Sequence, residues 1–197
     1  MVFDRALFGI GADEVRGLGG VMPHVCEVAY EALERSGIRI ERLRTLRVGT
    51  WLGVSDPTWV TIRDAAFLAD LLGIPGPAAT VIEAGAGLSC AVHAACEAVR
   101  SGDVELALIA GDHGAGVAGV MIGRMEEVAD RGRVRALILG SAANRSAEDS
   151  PSRLVAAARA GVDERGLVAV AGAGAAGLAE AIVALQAGET RALLVSE

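Results

Sequence analysis

The chain has 197 residues, 52% of them hydrophobic and 22% charged, with a formal net charge of −7. That length and apolar content suit a single domain spanning 1–197 and exclude a disordered or fibrous polypeptide. Only 3% of residues are aromatic, so the core is built from Ala, Val, Leu and Ile packed against Gly. The acidic balance lacks the cationic field that holds a phosphate backbone, which argues against nucleic-acid binding. All 18 basic residues are arginine. Without lysine there is no Schiff-base amine and no phosphate-loop lysine, which excludes pyridoxal enzymes and Walker-type nucleotidases.

Met1 to Gly11 contains Asp4 and Arg5 and no long apolar stretch, so no signal peptide is expected. From Val21 to Ser36, residues Val25, Val28, Ala29, Ala32 and Leu33 recur at helical spacing, and Gly37 follows as a cap. Leu46 to Val54 reads as a buried strand. Asp56-Pro57 opens a second helix to Leu72, with Ile62, Ala66, Leu68 and Leu71 inward and Gly73 as its stop. Ala78 to Ile82 is a short strand. Leu88 to Arg100 is a helix with Leu88, Val92, Ala95 and Val99 in line, capped by Ser101-Gly102.

Val104 to Ala110 and Val117 to Ile122 are apolar strands. A short helix at Glu126 to Asp130, a strand from Arg133 to Leu139 and a polar loop from Ala142 to Ser150 follow. Ser152 to Ala160 and Ala173 to Ala187 read as helices, Leu167 to Ala171 and Ala192 to Val195 as strands. Helices alternating with continuous apolar strands predict an α/β fold around a buried sheet. No run of 18 apolar residues occurs, so no membrane span is expected. Cys26, Cys90 and Cys96 form neither an even disulfide framework nor a CxxC pair. The expectation is a reducing cytoplasm, no metal and no cofactor.

The stretch from Thr80 to Cys96, TVIEAGAGLSCAVHAAC, resembles the nucleophile segment of β-ketoacyl synthases, TVDTACSSSLVALHLAC, in the form found in modular polyketide synthases. Further segments resemble that family in its own order. Phe3-Asp4 through Ile10 and Glu27 through Ile38 are similar to FDAxFFGIS and EVAWEALExAGI. Val48 to Ser55 is similar to TGVFVGxS, Arg133 to Asn144 to VIRGSAVNQDG, and Ala175 to Leu185 to AAGVAGLLKAVLAL. The resemblance implies a reduced thiolase-like fold, a mixed sheet flanked by helices.

The departures bear on function. The family's condensing Cys corresponds to Gly85, which has no side chain and cannot carry a thioester. The family's HGTGT segment has no counterpart after Asn144, and Val168 to Gly172 offers no second His. Gly19 to His24 stands where the family has DPQQR. Claisen condensation is therefore not expected.

Other residues remain as candidates. Gly85, Ala86, Gly87 and Cys90 would line an acyl-pocket turn. Cys90 reads either as a displaced nucleophile or, more in keeping with a free thiol, as a small core residue. Glu83 replaces a family Thr beside the lost nucleophile and is expected half-buried, as a proton shuttle or a helix-dipole partner. Asp112 and His113, expected just beyond a strand, and His93, within the helix, are acid–base candidates against bland readings as loop and core residues. Arg39, Arg42, Arg44 and Arg47 form a basic patch that either docks an acidic acyl carrier protein or is a solvated turn.

The resemblance implies that strand residues Ala79, Thr80, Val81 and Ile82 pair across a two-fold axis. The chain is thus expected to be a non-condensing partner in a polyketide or related acyl-carrier pathway. It would form a homodimer, or a heterodimer with a ketosynthase, and bind acyl chains or a carrier protein. The rival expectation is an enzyme that reuses the acyl pocket for isomerisation, cyclisation or hydrolysis through Glu83, Asp112, His113 and His93.

Overall fold

A computed structural model describes residues 3–61, 63–84, 86–112, 116–124, 138, 141, 168–171 and 192–195. The described elements run α1 (Arg5–Phe8), α2 (Ala12–Gly17), α3 (Met22–Ser36), α4 (Ile40–Leu43), β1 (Val48–Val54), a 3₁₀ turn (Pro57–Trp59), α5 (Asp64–Leu71), β2 (Ala78–Ile82), α6 (Gly87–Ser101), β3 (Leu106–Asp112), β4 (Val117–Gly123), β5 (Val168–Ala171) and β6 (Ala192–Val195). The helices expected at 126–130, 152–160 and 173–187, the strand at 133–139 and the loop at 142–150 lie outside the described residues.

The first sheet has the order β2-β1-β3-β4, with β1 parallel to β2 and β3, and β4 antiparallel to β3. It is the mixed sheet of an α/β fold. A separate pair, β5 and β6, is parallel. All seven residues of β1 and of β3 are buried, because helices cover both faces. On one face Val48, Leu52, Val54, Leu106, Leu108 and Ala110 pack with Met22, Val25, Cys26, Ala29 and Leu33 of α3 and Ala65, Leu68 and Ala69 of α5. On the other, Trp51, Ala107 and Ile109 pack with Leu88, Ala91, Val92, Ala95, Cys96 and Val99 of α6. The two sets alternate along each strand, as the pleat requires.

The long helix expected from Asp56 to Leu72 is broken in two. Asp56 Oδ1 accepts from Thr58 N (2.9 Å) and holds the 3₁₀ turn, while Val60 is extended at φ −118°, ψ 152°. Thr61 N and Oγ1 then donate to the two carboxylate oxygens of Asp64, at 2.6 and 2.8 Å. The β-branched Thr58, Val60 and Thr61 resist helix, and the short polar side chains offer the backbone competing partners. The restarted helix is rotated: Ala65 and Ala69 face inward, and Ala66, expected inward, is exposed. Ile62 lies outside the described residues. On α3 the buried stripe takes in Cys26 and leaves Val28 and Ala32 only half-buried.

The helix α6 reaches β1 through backbone. A Cβ at Gly53 would stand 2.5 Å from Leu88 Cα, and one at Gly87 would collide with the Val54 backbone. No side chain fits between the helix start and the strand, so both positions require glycine. Replacing Gly87 by Ala is expected to cost about 3 kcal/mol, the upper part of the usual overpacking range. Gly17→Ala, where the added Cβ meets nothing within 4 Å, should be neutral or better, as helix propensity favours Ala. Urea unfolding of the two variants against the parent chain checks this; equal stability would refute the close packing.

Candidate functional site

The segment joining β2 to α6 is built from three backbone bonds. Glu83 N donates to Val54 O (3.0 Å) and extends the β1–β2 ladder by one residue. Ala86 N donates to Glu83 O (3.1 Å) and closes the turn, and Cys90 N donates to Ala86 O (3.0 Å) to start the helix. Ala86 is the N-cap and supplies no side-chain cap bond, so the positive end of the α6 dipole faces this turn. Gly85 lies outside the described residues. Ala86 is half-buried and Gly87 buried.

Cys90 is the fourth residue of α6, deeper than its expected position two residues in, because the helix begins at Gly87. It is half-buried, and its thiol is pushed up from its ordinary value by burial first and by the charge of Glu83 second. A thiol held protonated is a poor nucleophile. Ser89, its neighbour, keeps a buried hydroxyl oxygen with no hydrogen-bond partner. Sequence reasoning passed over it.

Glu83 is exposed, not half-buried as expected. It follows the edge strand β2, and no further strand of the four-stranded sheet covers that edge. Asp112 also departs from expectation: it is the last residue of β3 rather than part of a loop, and only 5% exposed. Its Oδ1 accepts from Ser55 N (2.9 Å), and its backbone oxygen accepts from Ser55 Oγ (3.0 Å). This exchange ties the ends of β1 and β3 together. His113 lies outside the described residues.

His93 is half-buried on α6, with Nδ1 3.1 Å from Ser141 Oγ. Arg100 NH1 donates to the same hydroxyl (2.8 Å) and to Glu97 Oε1 (2.8 Å). Burial raises the Cys96 thiol, and the Arg100 charge and the Ser141 hydroxyl offset part of that. Ser141 is therefore held against α6 by its hydroxyl. None of the described hydrogen bonds joins Glu83, Asp112 or His93 to another of the three. His24 Nδ1, on α3, sits 3.2 Å from Glu27 Oε2. Among the described residues no cluster of three His, Cys, Asp or Glu could hold a metal ion, and no helix is long and apolar enough to cross a membrane.

Comparison with known proteins fits this frame. Polyketide synthase GfsB of Streptomyces halstedii is 32% identical over 126 residues, 54% of this chain and 2% of that protein. The spectinabilin polyketide synthase system protein NorC of Streptomyces orinoci is 32% identical over 127 residues, 55% of this chain and 6% of that protein. Among solved structures, the oxazolomycin ketosynthase domain OzmH KS8 of Streptomyces albus JA3453 superposes with a TM-score of 0.69 at 25% identity, over 98% of this chain and 62% of that one. The KS7 domain of the same synthase gives 0.73 at 17% identity, over 98% of this chain and 47% of that one. No protein-family model matches. The class is thus defined: an α/β protein with the thiolase-like fold of ketosynthase domains. The chain is a ketosynthase-like homologue of polyketide synthases, spanning only a small part of the length of those relatives.

Two predictions follow from the buried groups. Burial pushes the Cys26 thiol from its ordinary 9.0 to about 12, with smaller effects from its own backbone bond, Glu27 and Asp64. The folded thiol holds its proton where the unfolded one has lost it. Stability is therefore full below pH 9 and falls as the pH rises from 9 toward 12. Cys26→Ala should flatten that alkaline slope in urea melts; an unchanged slope would contradict the assignment. Asp112→Ala should cost about 1–3 kcal/mol, because it strands the Ser55 amide. Asp112→Asn, which keeps an acceptor oxygen, should cost less; equal losses would show that the carboxylate does not pin the strands.

Proposed function

We propose that this chain is a non-condensing ketosynthase-like protein of a polyketide or related acyl-carrier pathway. It acts as a structural partner that pairs along β2, with a second copy of itself or with a ketosynthase, and it receives an acyl chain or a carrier protein. The observation that carries this reading is the edge of the sheet. Among the described residues β2 bonds β1 on one side only; its sequence Ala-Ala-Thr-Val-Ile holds no charge, and Ile82 is 50% exposed. Uncharged open edges invite another strand, and monomeric proteins block them with charge, proline or a bulge. Strand addition by a two-fold copy satisfies the free backbone groups and covers Ile82.

The expected absence of condensation is supported by the glycine at position 85 in the sequence and by the raised thiol of Cys90, five residues on. The turn of Gly85, Ala86 and Gly87 then serves as a floor for an acyl arm, with Cys90 as lining. Cytoplasmic placement belongs to the same proposal. The alternative, an isomerase, cyclase or hydrolase built on the same pocket, draws on Glu83, the one candidate carboxylate exposed at the turn. It predicts lost turnover in a folded Glu83→Gln variant.

Val81 packs against the α6 core, so charging it would unfold the sheet; Ile82 is the cleaner probe. The parent chain should sediment as a dimer, alone or mixed with a ketosynthase, and Ile82→Asp should sediment as a folded monomer by circular dichroism. A parent chain that stays monomeric in both settings, or a variant that still pairs, would overturn the reading.

A further inference from the structure

The segment between α3 and β1 carries more cationic charge than the described residues pair. Arg39, Arg42, Arg44 and Arg47 are all exposed. Arg47 lies 3.9 Å from Glu105, whereas Arg39, Arg42 and Arg44 make no ion pair with the described residues. Elsewhere Arg16, Arg35 and Arg100 each meet a carboxylate on their own helix. Arg39 is the N-cap of α4 and Arg42 lies in its last turn, three residues on, where like charges on a helix repel. The fully buried Leu43 anchors the segment between Arg42 and Arg44. Arg39 and Arg44 cap α4 and Arg42 lies within it beside Glu41; three guanidinium groups that meet no carboxylate among the described residues, in a chain of net charge −7, complement an anionic surface.

The patch also has a defined position. Arg47 immediately precedes β1, and the 83–86 turn is bonded to the other end of that strand at Val54. At the usual rise per residue the two ends are about 25 Å apart. A partner held here sits at the opposite end of the sheet from the acyl-pocket turn.

We propose that Arg39, Arg42 and Arg44 dock an acidic helical segment of a partner protein, which stays at the N-terminal end of the strands and does not deliver a substrate to the turn. Guanidinium groups match carboxylates geometrically and keep their charge at every working pH. A two-fold self-contact centred on this patch would set Arg against Arg, which argues against a second copy as the occupant. The proposal is independent of β2 pairing and goes beyond it.

The test uses the full chain and a fluorescein-labelled helical peptide with glutamates spaced three and four apart, followed by anisotropy. Binding should be saturable at about 50 mM salt and weaken by about tenfold or more at about 300 mM. The triple variant Arg39→Ala, Arg42→Ala, Arg44→Ala should weaken it by about tenfold, while Arg5→Ala with Arg63→Ala, two exposed arginines elsewhere, should leave it unchanged. Equal binding by the triple variant, or no saturable binding at low salt, overturns the proposal. A single-stranded RNA that binds as tightly as the peptide overturns the protein assignment. Loss of self-association in the triple variant assigns the patch to a second copy and overturns it too. Charge reversal by Arg42→Glu gives an independent variant, and circular dichroism confirms that each remains folded.

Discussion

The near-contact between the first turn of α6 and the end of β1 governs the rest of the molecule. Leu88 and Gly87 lie against Gly53 and Val54 with no side chain between them. That approach sets the depth of α6 on the sheet and lets Leu88, Ala91, Val92, Ala95 and Val99 fill the space over Trp51, Ala107 and Ile109. It also fixes the turn, because Glu83 and Ala86 are bonded between the same strand end and the same helix start. The dipole of a 15-residue helix is therefore aimed at one place. The described part of the fold is ketosynthase-like, and the position that the sequence resemblance matches to the family's nucleophile is Gly85.

The titratable groups of α3, α6 and the strand ends are engaged in packing or in hydrogen bonds. Burial holds Cys26, Cys90 and Cys96 toward the thiol form. Asp112 spends its carboxylate on a backbone amide at the end of the neighbouring strand. His93 spends a ring nitrogen on Ser141, which Arg100 shares. These groups hold elements together, and each is committed to a separate partner. Among the described residues two exposed surfaces are of opposite kinds: an uncharged strand edge at β2 and an arginine-rich segment before β1. Together they suit a protein whose work lies in contacts with other chains.

Much of the fold was legible in the sequence because its signals were local. Ala78–Ile82 matches the expected strand residue for residue, and Gly37 and Gly102 end their helices with positive φ as caps do. The inward stripe of α6 was readable from spacing alone. The failure at 56–72 came from treating Asp56-Pro57 as the start of one helix; the β-branched Thr58, Val60 and Thr61 and the Thr61–Asp64 exchange divide it. Shorter elements were missed altogether: α1, α2 and α4 have six residues or fewer and no period long enough to see. At the site, the resemblance located the turn, but exposure was misjudged. Whether Glu83 is covered depends on which strand is at the sheet edge, and whether Asp112 is free depends on Ser55, 57 residues away in sequence. Such tertiary facts leave no local pattern.

The central claim is that the turn holds a ketosynthase-like site unable to form an acyl-enzyme. Intact-protein mass spectrometry after incubation with acyl thioesters, both carrier-bound and as small-molecule analogues, tests it most directly. The account predicts an unchanged mass for the parent chain under conditions that acylate a condensing ketosynthase. A stoichiometric acyl adduct, mapped to Cys90 or to any other residue of the turn, would contradict it.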